Sequence, residues 1–360
     1  MSDVATADAI LRGLGERRIV SELLEPRYRR VKRFGDDSAS VALPPEAEGG
    51  LLVATTDPCP PPMAQHLGVS DWYYTGWLLA TINLSDLAAA GAEPLGLLTS
   101  LELKSEMLVV DFERLLDGVD DCCSAADTFV VGGNLKEVAQ PNFSATAFGW
   151  VDGRGPLGRH GAEEGDAILV IGDLGRFWAG ALGVIQGLLT TNDAADPLLR
   201  NVLVPRPKVR LMSDLRRGNV VKATIDNSDG LYPSLLQIAR ANGLGASITF
   251  DGVPFEPDVA RMAARLNIDP LRLALGWGDW QIIVACSPQD VAAIRSTCTQ
   301  AETACNPIGV FTNGEGIQLT HGGNTGSMMR LDSQRFTSES WFSAGLDQYV
   351  ESLTQAPLFA

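Results

Sequence analysis

Asp37 in FGDDSASV (34–41), Asp57 in ATTDPC (54–59), Asp86 in NLSD (83–86) and Asp226 in ATIDNSDGLYPSL (223–235) each stand against an apolar strand or inside a long apolar helix. Chemistry in α/β proteins concentrates at the ends of buried strands. Carboxylates accompanied by Thr and Ser hydroxyls, with no His or Cys nearby, suit a hard, oxygen-seeking cation, above all Mg²⁺. An ion held by a few carboxylates keeps waters and takes phosphate oxygens, so the ligand implied is a nucleotide. The competing role for such aspartates is turn formation or helix capping, and Asp229 could simply cap a helix over 229–243. Asp86 argues for more than that. A carboxylate in the middle of LLATINLSDLAAAGA is costly to bury unless it is paired or liganded.

Other phosphate-binding devices are weaker or missing. Nothing matches G-x-x-x-x-G-K-[ST], and there is neither a G-x-S-x-G nor a Ser/His/Asp or Cys/His nucleophile set. GDLGRFWAG (172–180) follows a strand and could offer backbone N–H groups to phosphate at a helix start, or its glycines could only make a tight turn.

The elements that must position these residues alternate along the chain. GGLLVATTD (49–57), LGLLTSLEL (95–103), TFVVGGN (128–134) and FSATAFGWV (143–151) read as strands. A helix from 72 ends at Gly91 with Pro94 beyond, and a second covers 111–126 with Asp111 as cap. DGRGPLGRHGAEEGD (152–166), rich in Gly and charge, marks a domain boundary, giving domains 1–153 and 154–350. The second half restarts with a strand at 167–175, a helix at 177–189 and another after PRPK (205–208). Strand 220–226, helix 229–243 and strands 246–250, 280–285 and 308–314 follow. Both halves are mixed α/β.

Composition narrows the class. A chain of 360 residues with 45% hydrophobic and 20% charged residues fits two globular domains of ordinary size. The net charge of −16 argues against nucleic acid, whose phosphates need a basic face. No run of apolar residues is long enough to span a membrane, and MSDVATADAILRGLGERR lacks the apolar core of a signal peptide. Six cysteines without C-x-x-C spacing and three histidines make zinc a poor fit and reduced, cytoplasmic thiols the expectation.

Taken in order, FGDDSASV, LLVATTD, GWLLATINLSDLAAAGAEPLG, VVGGN, GRHGAEEGDAILVIGDLG, ATIDNSDGL and GWGDWQIIVA resemble the thiamine-monophosphate kinase family. That family belongs to the superfamily of aminoimidazole ribonucleotide synthetase, selenide dikinase, the hydrogenase-maturation dehydratase and formylglycinamide ribonucleotide amidotransferase. SWFSAGLDQY (340–349) is similar to the kinase's C-terminal stretch. The resemblance implies an N-terminal α/β domain whose sheet joins a second subunit's in a barrel-like homodimer, and a C-terminal α+β domain. It also implies ATP and several Mg²⁺ ions in a cleft between domains. Carried over by position, Asp37, Thr55, Thr56, Asp57, Asp86 and Asp226 would ligate metal, with Asp229 near a further ion. Gly133, Asn134, Arg159 and Ser228 would contact ATP. His66, Trp277, Asp279, Trp280 and Trp341 would face the substrate.

Two departures bear on the substrate. Asn134 replaces an Asp that holds metal in the kinase, although the amidotransferase also carries GGN. In GWGDWQIIV, Gly278 stands where the kinase has a substrate-contacting Glu, and Gln281 replaces a second Glu. The resemblance therefore implies an ATP- and Mg²⁺-dependent phosphotransferase acting on a small metabolite other than thiamine monophosphate. The alternatives are a synthetase that activates an amide or carboxyl oxygen by phosphorylation, and a nucleotide-binding homologue without turnover.

Overall fold

The computed structural model describes residues 10–30, 43–193, 195–331 and 344–359. Asp37 and Trp341, with all of FGDDSASV, lie outside the described residues. The chain forms two compact units, Met1–Leu87 with Ala92–Pro156 and Ala88–Gly91 with Leu157–Ala360. Both are mixed α/β, as the alternation of apolar runs predicts. Among the described residues no helix is long and apolar enough to cross a membrane.

In the first unit the order is β1 (Leu51–Pro58), α1 (Trp72–Ala89), β2 (Glu93–Leu103), α2 (Val109–Ala125), β3 (Val130–Glu137) and β4 (Asn142–Val151). The strands form one open sheet in the order β1-β4-β2-β3, antiparallel except for the β2–β3 pair. The period-2 pattern of β4 decides which face is buried. Phe143, Ala145, Ala147 and Val151 point into the core, while Thr146, Phe148 and Trp150 take the outer face and are half-buried. Across from them, Leu52 pairs with Trp150 and Ala54 with Phe148, and Leu52 is 59% exposed. α1 carries apolar residues around its whole circumference and is largely buried, with Leu79, Leu84 and Leu87 fully enclosed.

The second unit runs β5 (Ala167–Ile171), α3 (Arg176–Ile185), α4 (Pro197–Leu203), α5 (Val209–Arg217), β6 (Ala223–Asp226) and α6 (Leu231–Ala241). It continues through β7 (Gly245–Thr249), α7 (Pro257–Leu266), α8 (Pro270–Leu275), β8 (Ile282–Cys286), α9 (Val291–Gln300) and β9 (Cys305–Thr312). A hairpin of β10 (Ile317–His321) and β11 (Asn324–Ser327) and the helix α10 (Leu346–Gln355) complete it. The seven-stranded sheet has the order β11-β10-β7-β9-β5-β8-β6, with β10–β7 its one parallel pair among the described residues. β5 and β8 lie side by side inside the sheet, toward its β6 edge, and are buried along their whole length. Their unbroken apolar runs, AILVI and IIVAC, are what burial on both faces requires.

Candidate functional site

Thr55, Thr56 and Asp57 occupy consecutive places in β1, so they cannot share a face. Thr55 and Asp57 take one face and Thr56 the other. Thr55 Oγ1 donates to Asp86 Oδ2 of α1 at 2.6 Å. The Asp57 N–H donates to Asn83 Oδ1 at 3.0 Å, and Asn83 Nδ2 donates to Leu79 O at 2.9 Å. Thr56 Oγ1 donates to Ala145 O at 2.9 Å and accepts from Thr146 Oγ1 at 3.1 Å, away from that group. Asn83 is fully buried and stands three residues before Asp86, on the same helical face. It is the part of this arrangement that sequence reasoning passed over, although NLSD carries the spacing.

This arrangement gathers Thr55, Asp57 and Asp86 where β1 meets α1, with both aspartates half-buried. No group of three acidic, His or Cys side chains among the described residues is gathered tightly enough to hold a metal ion by itself. The donors are nevertheless all oxygen. A donor set with few carboxylates fits Mg²⁺, which completes its shell with waters and phosphate oxygens.

Gly133 and Asn134 are exposed and lie in register with Thr99 and Ser100 of β2. A side chain at 133 would overlap the Thr99 carbonyl, so the strand packing alone demands this glycine. β3 is three strand spacings from β1, about 14 Å across the sheet. The structure therefore does not bring Gly133 and Asn134 together with Asp57. His66 ends the short helix Met63–His66 and is exposed.

In the second unit, Asp226 closes β6 opposite Ile282, and Ser228 Oγ donates to Asp226 Oδ1 at 3.3 Å. Helix α6 starts at Leu231 with Gly230 as its N-cap, so Asp229 stands outside the helix it could have capped. Asn227 between them is buried. Its N–H donates to Gln281 O at 2.7 Å and its Nδ2 to Gln281 Oε1 at 3.0 Å. Arg159, in GRHGA (158–162), is exposed.

Trp277, Asp279 and Trp280 share one loop with very different surroundings. Asp279 is 7% exposed. Its Oδ1 accepts from the Phe177 N–H and from Asn201 Nδ2, both at 3.1 Å, and its Oδ2 accepts from Gln281 Nε2 at 3.1 Å. It thus caps the amino end of α3. The backbone donors of GDLGRFWAG that could have met a phosphate include one already taken by an internal carboxylate. Burial pushes the Asp279 carboxyl up to about 7 against the pull of the Phe177 N–H. Gln281 Nε2 also donates to Asp173 O, so this buried amide joins three segments.

Trp277 is half-buried, and side chains hold both sides of its main chain. Its N–H donates to Tyr349 Oη at 3.1 Å, and its carbonyl accepts from Trp178 Nε1 at 2.7 Å. The Trp178 ring lies 5.3 Å from those of Trp277 and Tyr349. Gly278 has φ +92°, and a Cβ there would meet the Phe177 ring at 3.0 Å. A Glu at this position would be strained and would press on the Phe177 ring. Trp280 is 7% exposed and has φ +42°, a strained conformation for a bulky residue. Of the loop's candidate substrate residues, Asp279 and Trp280 are enclosed by protein and Trp277 keeps part of its surface open.

Residues 35–151 match the AIR synthase related protein N-terminal domain, and residues 163–322 match the AIR synthase related protein C-terminal domain. The thiamine-monophosphate kinase of Caulobacter vibrioides is 31% identical over 260 residues, spanning 70% of this chain and 72% of that one. Among solved structures, thiamine-monophosphate kinase from Stenotrophomonas maltophilia K279a superposes with TM-score 0.70 at 27% identity, covering 83% of this chain and 95% of its own. AaThiL complexed with AMPPCP and TMP shares the fold, with TM-score 0.65, 24% identity and 90% and 97% coverage. The chain belongs to the AIR synthase related family, in its thiamine-monophosphate kinase-like branch.

Proposed function

We propose that this protein is an ATP- and Mg²⁺-dependent phosphotransferase whose acceptor is a small molecule other than thiamine monophosphate. One observation carries the reading: Thr55 and Asn83 hold Asp86 and Asp57 at the junction of β1 and α1, with both aspartates half-buried. The kinases among its relatives and the AMPPCP complex of a structural neighbour support ATP as the donor. Mg²⁺, when bound, would offset the charge of the terminal phosphates. In the first unit Asp57, Asp86 and Thr55 would hold it, and in the second unit Asp226 would ligate metal, with Asp229 near a further ion.

The chain's own residues then do the positioning. Arg159 would bind phosphate oxygens, since a guanidinium forks onto two of them, and the Ser228 hydroxyl would turn from Asp226 Oδ1 to donate to one. Phosphoryl transfer needs little more than in-line placement and charge neutralisation. The acceptor side is where this chain differs from its relatives. Gly278 offers no carboxylate and Asp279 is turned inward onto α3, so the loop presents no anion from these positions to a cationic ring. Trp277, half-buried, is the residue of this loop that keeps part of its surface open. The test is ADP release with thiamine monophosphate compared with a panel of small acceptors. Turnover with another acceptor at least about a hundredfold more efficient supports the reading, and efficient use of thiamine monophosphate contradicts it.

Asn134 favours a second reading, a synthetase that phosphorylates an amide or carboxyl oxygen. It is exposed on β3 and supplies a carbonyl oxygen without negative charge. A ring-closed or amidine product with free phosphate would identify that reaction. We also propose a homodimer through the outer face of the first sheet, where Leu52, Phe148 and Trp150 leave apolar surface in contact with water. A monomer by light scattering at micromolar concentration would rule this out.

A further inference from the structure

Arg159 has an exposed side chain, and no hydrogen bond or ion pair holds its guanidinium among the described residues. Its main chain is in the opposite condition. Asn242 Nδ2 donates to Arg159 O at 2.7 Å, and the Gly161 N–H donates to Asn242 Oδ1 at 2.8 Å. His160 Nδ1 lies 3.1 Å from Ala241 O. On the other side, the Thr224 N–H donates to Gly158 O at 2.8 Å. The segment 158–161 is thus held between β6 and the end of α6. These two elements are joined by the turn that follows Asp226 and carries Ser228 and Asp229.

Asn242 is the C-cap of α6, and a simple cap would account for one of its bonds, from Nδ2 to Ile238 O at 2.8 Å. The bonds to residues 159 and 161 go beyond capping. They use the remaining amide hydrogen and the oxygen of the carboxamide on two main-chain groups that flank His160. We propose that Asn242 is a positioning residue for nucleotide binding. It fixes the base of the Arg159 side chain beside β6, so that the guanidinium meets phosphate from a set origin instead of from a loose loop. A long cationic side chain loses less entropy on binding when its backbone is already ordered. The inference rests on the assignment of Arg159 to ATP above.

The test is a double-mutant cycle read by titration calorimetry with Mg·AMPPCP on the full chain. Arg159→Gln is expected to weaken binding about thirtyfold and Asn242→Ala about tenfold. The double variant should bind as Arg159→Gln alone does, because Asn242 acts through that side chain. Asn242→Gly, which suits a helix end, should repeat the loss, and Asn242→Asp, which keeps an acceptor for the Gly161 N–H, should restore part of the affinity. Additive losses, or unchanged affinity in both the Ala and Gly variants, would overturn the proposal while leaving ATP binding in place. A wild-type chain that does not bind Mg·AMPPCP, or an Arg159→Gln variant that binds equally well, would overturn the assignment of Arg159 and this inference with it.

Discussion

Asp86 and Asp279 are both aspartates set against apolar segments, yet the fold treats them in opposite ways. Asp86 stays half-buried with one hydroxyl partner, Thr55, and keeps acceptor capacity to spare. Asp279 is enclosed, and its two oxygens accept from Phe177, Asn201 and Gln281. The first arrangement suits an external cation. The second closes on itself and serves the packing of α3 against the loop before β8. A carboxylate in an apolar setting therefore signals function only when its hydrogen-bond capacity is left unfilled.

The contrast breaks most visibly at Gln281. Replacing it with Leu would strand Asp279, Asn227 and the Asp173 carbonyl, so Gln281→Leu should cost about 3–5 kcal/mol in urea denaturation. A loss below about 1 kcal/mol would mean that this network is not structural. Titration gives the next largest effect. Asp279 has its carboxyl raised from 3.8 to about 7, so the stability that this group contributes is fully present below pH 4 and is lost as pH rises through 7. The difference is worth up to roughly 4 kcal/mol. Asp173 reinforces the shift and Lys208 opposes it. Asp279→Asn should flatten the stability profile between pH 4 and 7, and a profile as steep as the wild type's would remove Asp279 as its source.

Gly278→Glu sharpens the same comparison from the substrate side. The substitution restores the residue type of the kinase, but φ +92° and the Phe177 ring leave it strained. It should destabilise by about 1–3 kcal/mol without conferring efficient use of thiamine monophosphate. A stable variant that turns over thiamine monophosphate would show that the loop is more adaptable than its packing implies. Asp86→Asn should show the smallest effect on folding, under about 1 kcal/mol, because a half-buried amide still accepts from Thr55. Its effect on Mg·ATP affinity should be at least about tenfold, and equal affinity would place the metal elsewhere.

Much of this was legible in the residues. The strands β1–β9 follow from apolar runs, and Gly91 and Pro94 place the end of α1. Helices α4, α7, α8, α9 and α10 and the β10–β11 hairpin are not among the elements that the sequence reading gives. The β11 segment NTGS has no apolar residue, and its strand character comes from pairing with β10. The grouping of Thr55 and Asp57 against Thr56 follows from strand alternation, and Asp86 from its place in a buried helix. The inward turn of Asp279 does not, because its partners Phe177 and Asn201 are 102 and 78 residues away in sequence. Tyr349 and Asn242 escaped notice for the same reason. Each acts on a main chain that only the folded unit brings near.

The central claim is that half-buried carboxylates at the end of β1 and in α1 bind a nucleotide through a divalent cation. Calorimetric titration of ATP into the wild-type chain, once in Mg²⁺ and once in chelator, tests it most directly. Binding in Mg²⁺ that weakens at least about a hundredfold in chelator, and that Asp57→Asn reduces without loss of the fold, is the predicted result. Equal affinity for ATP with and without Mg²⁺ would contradict it.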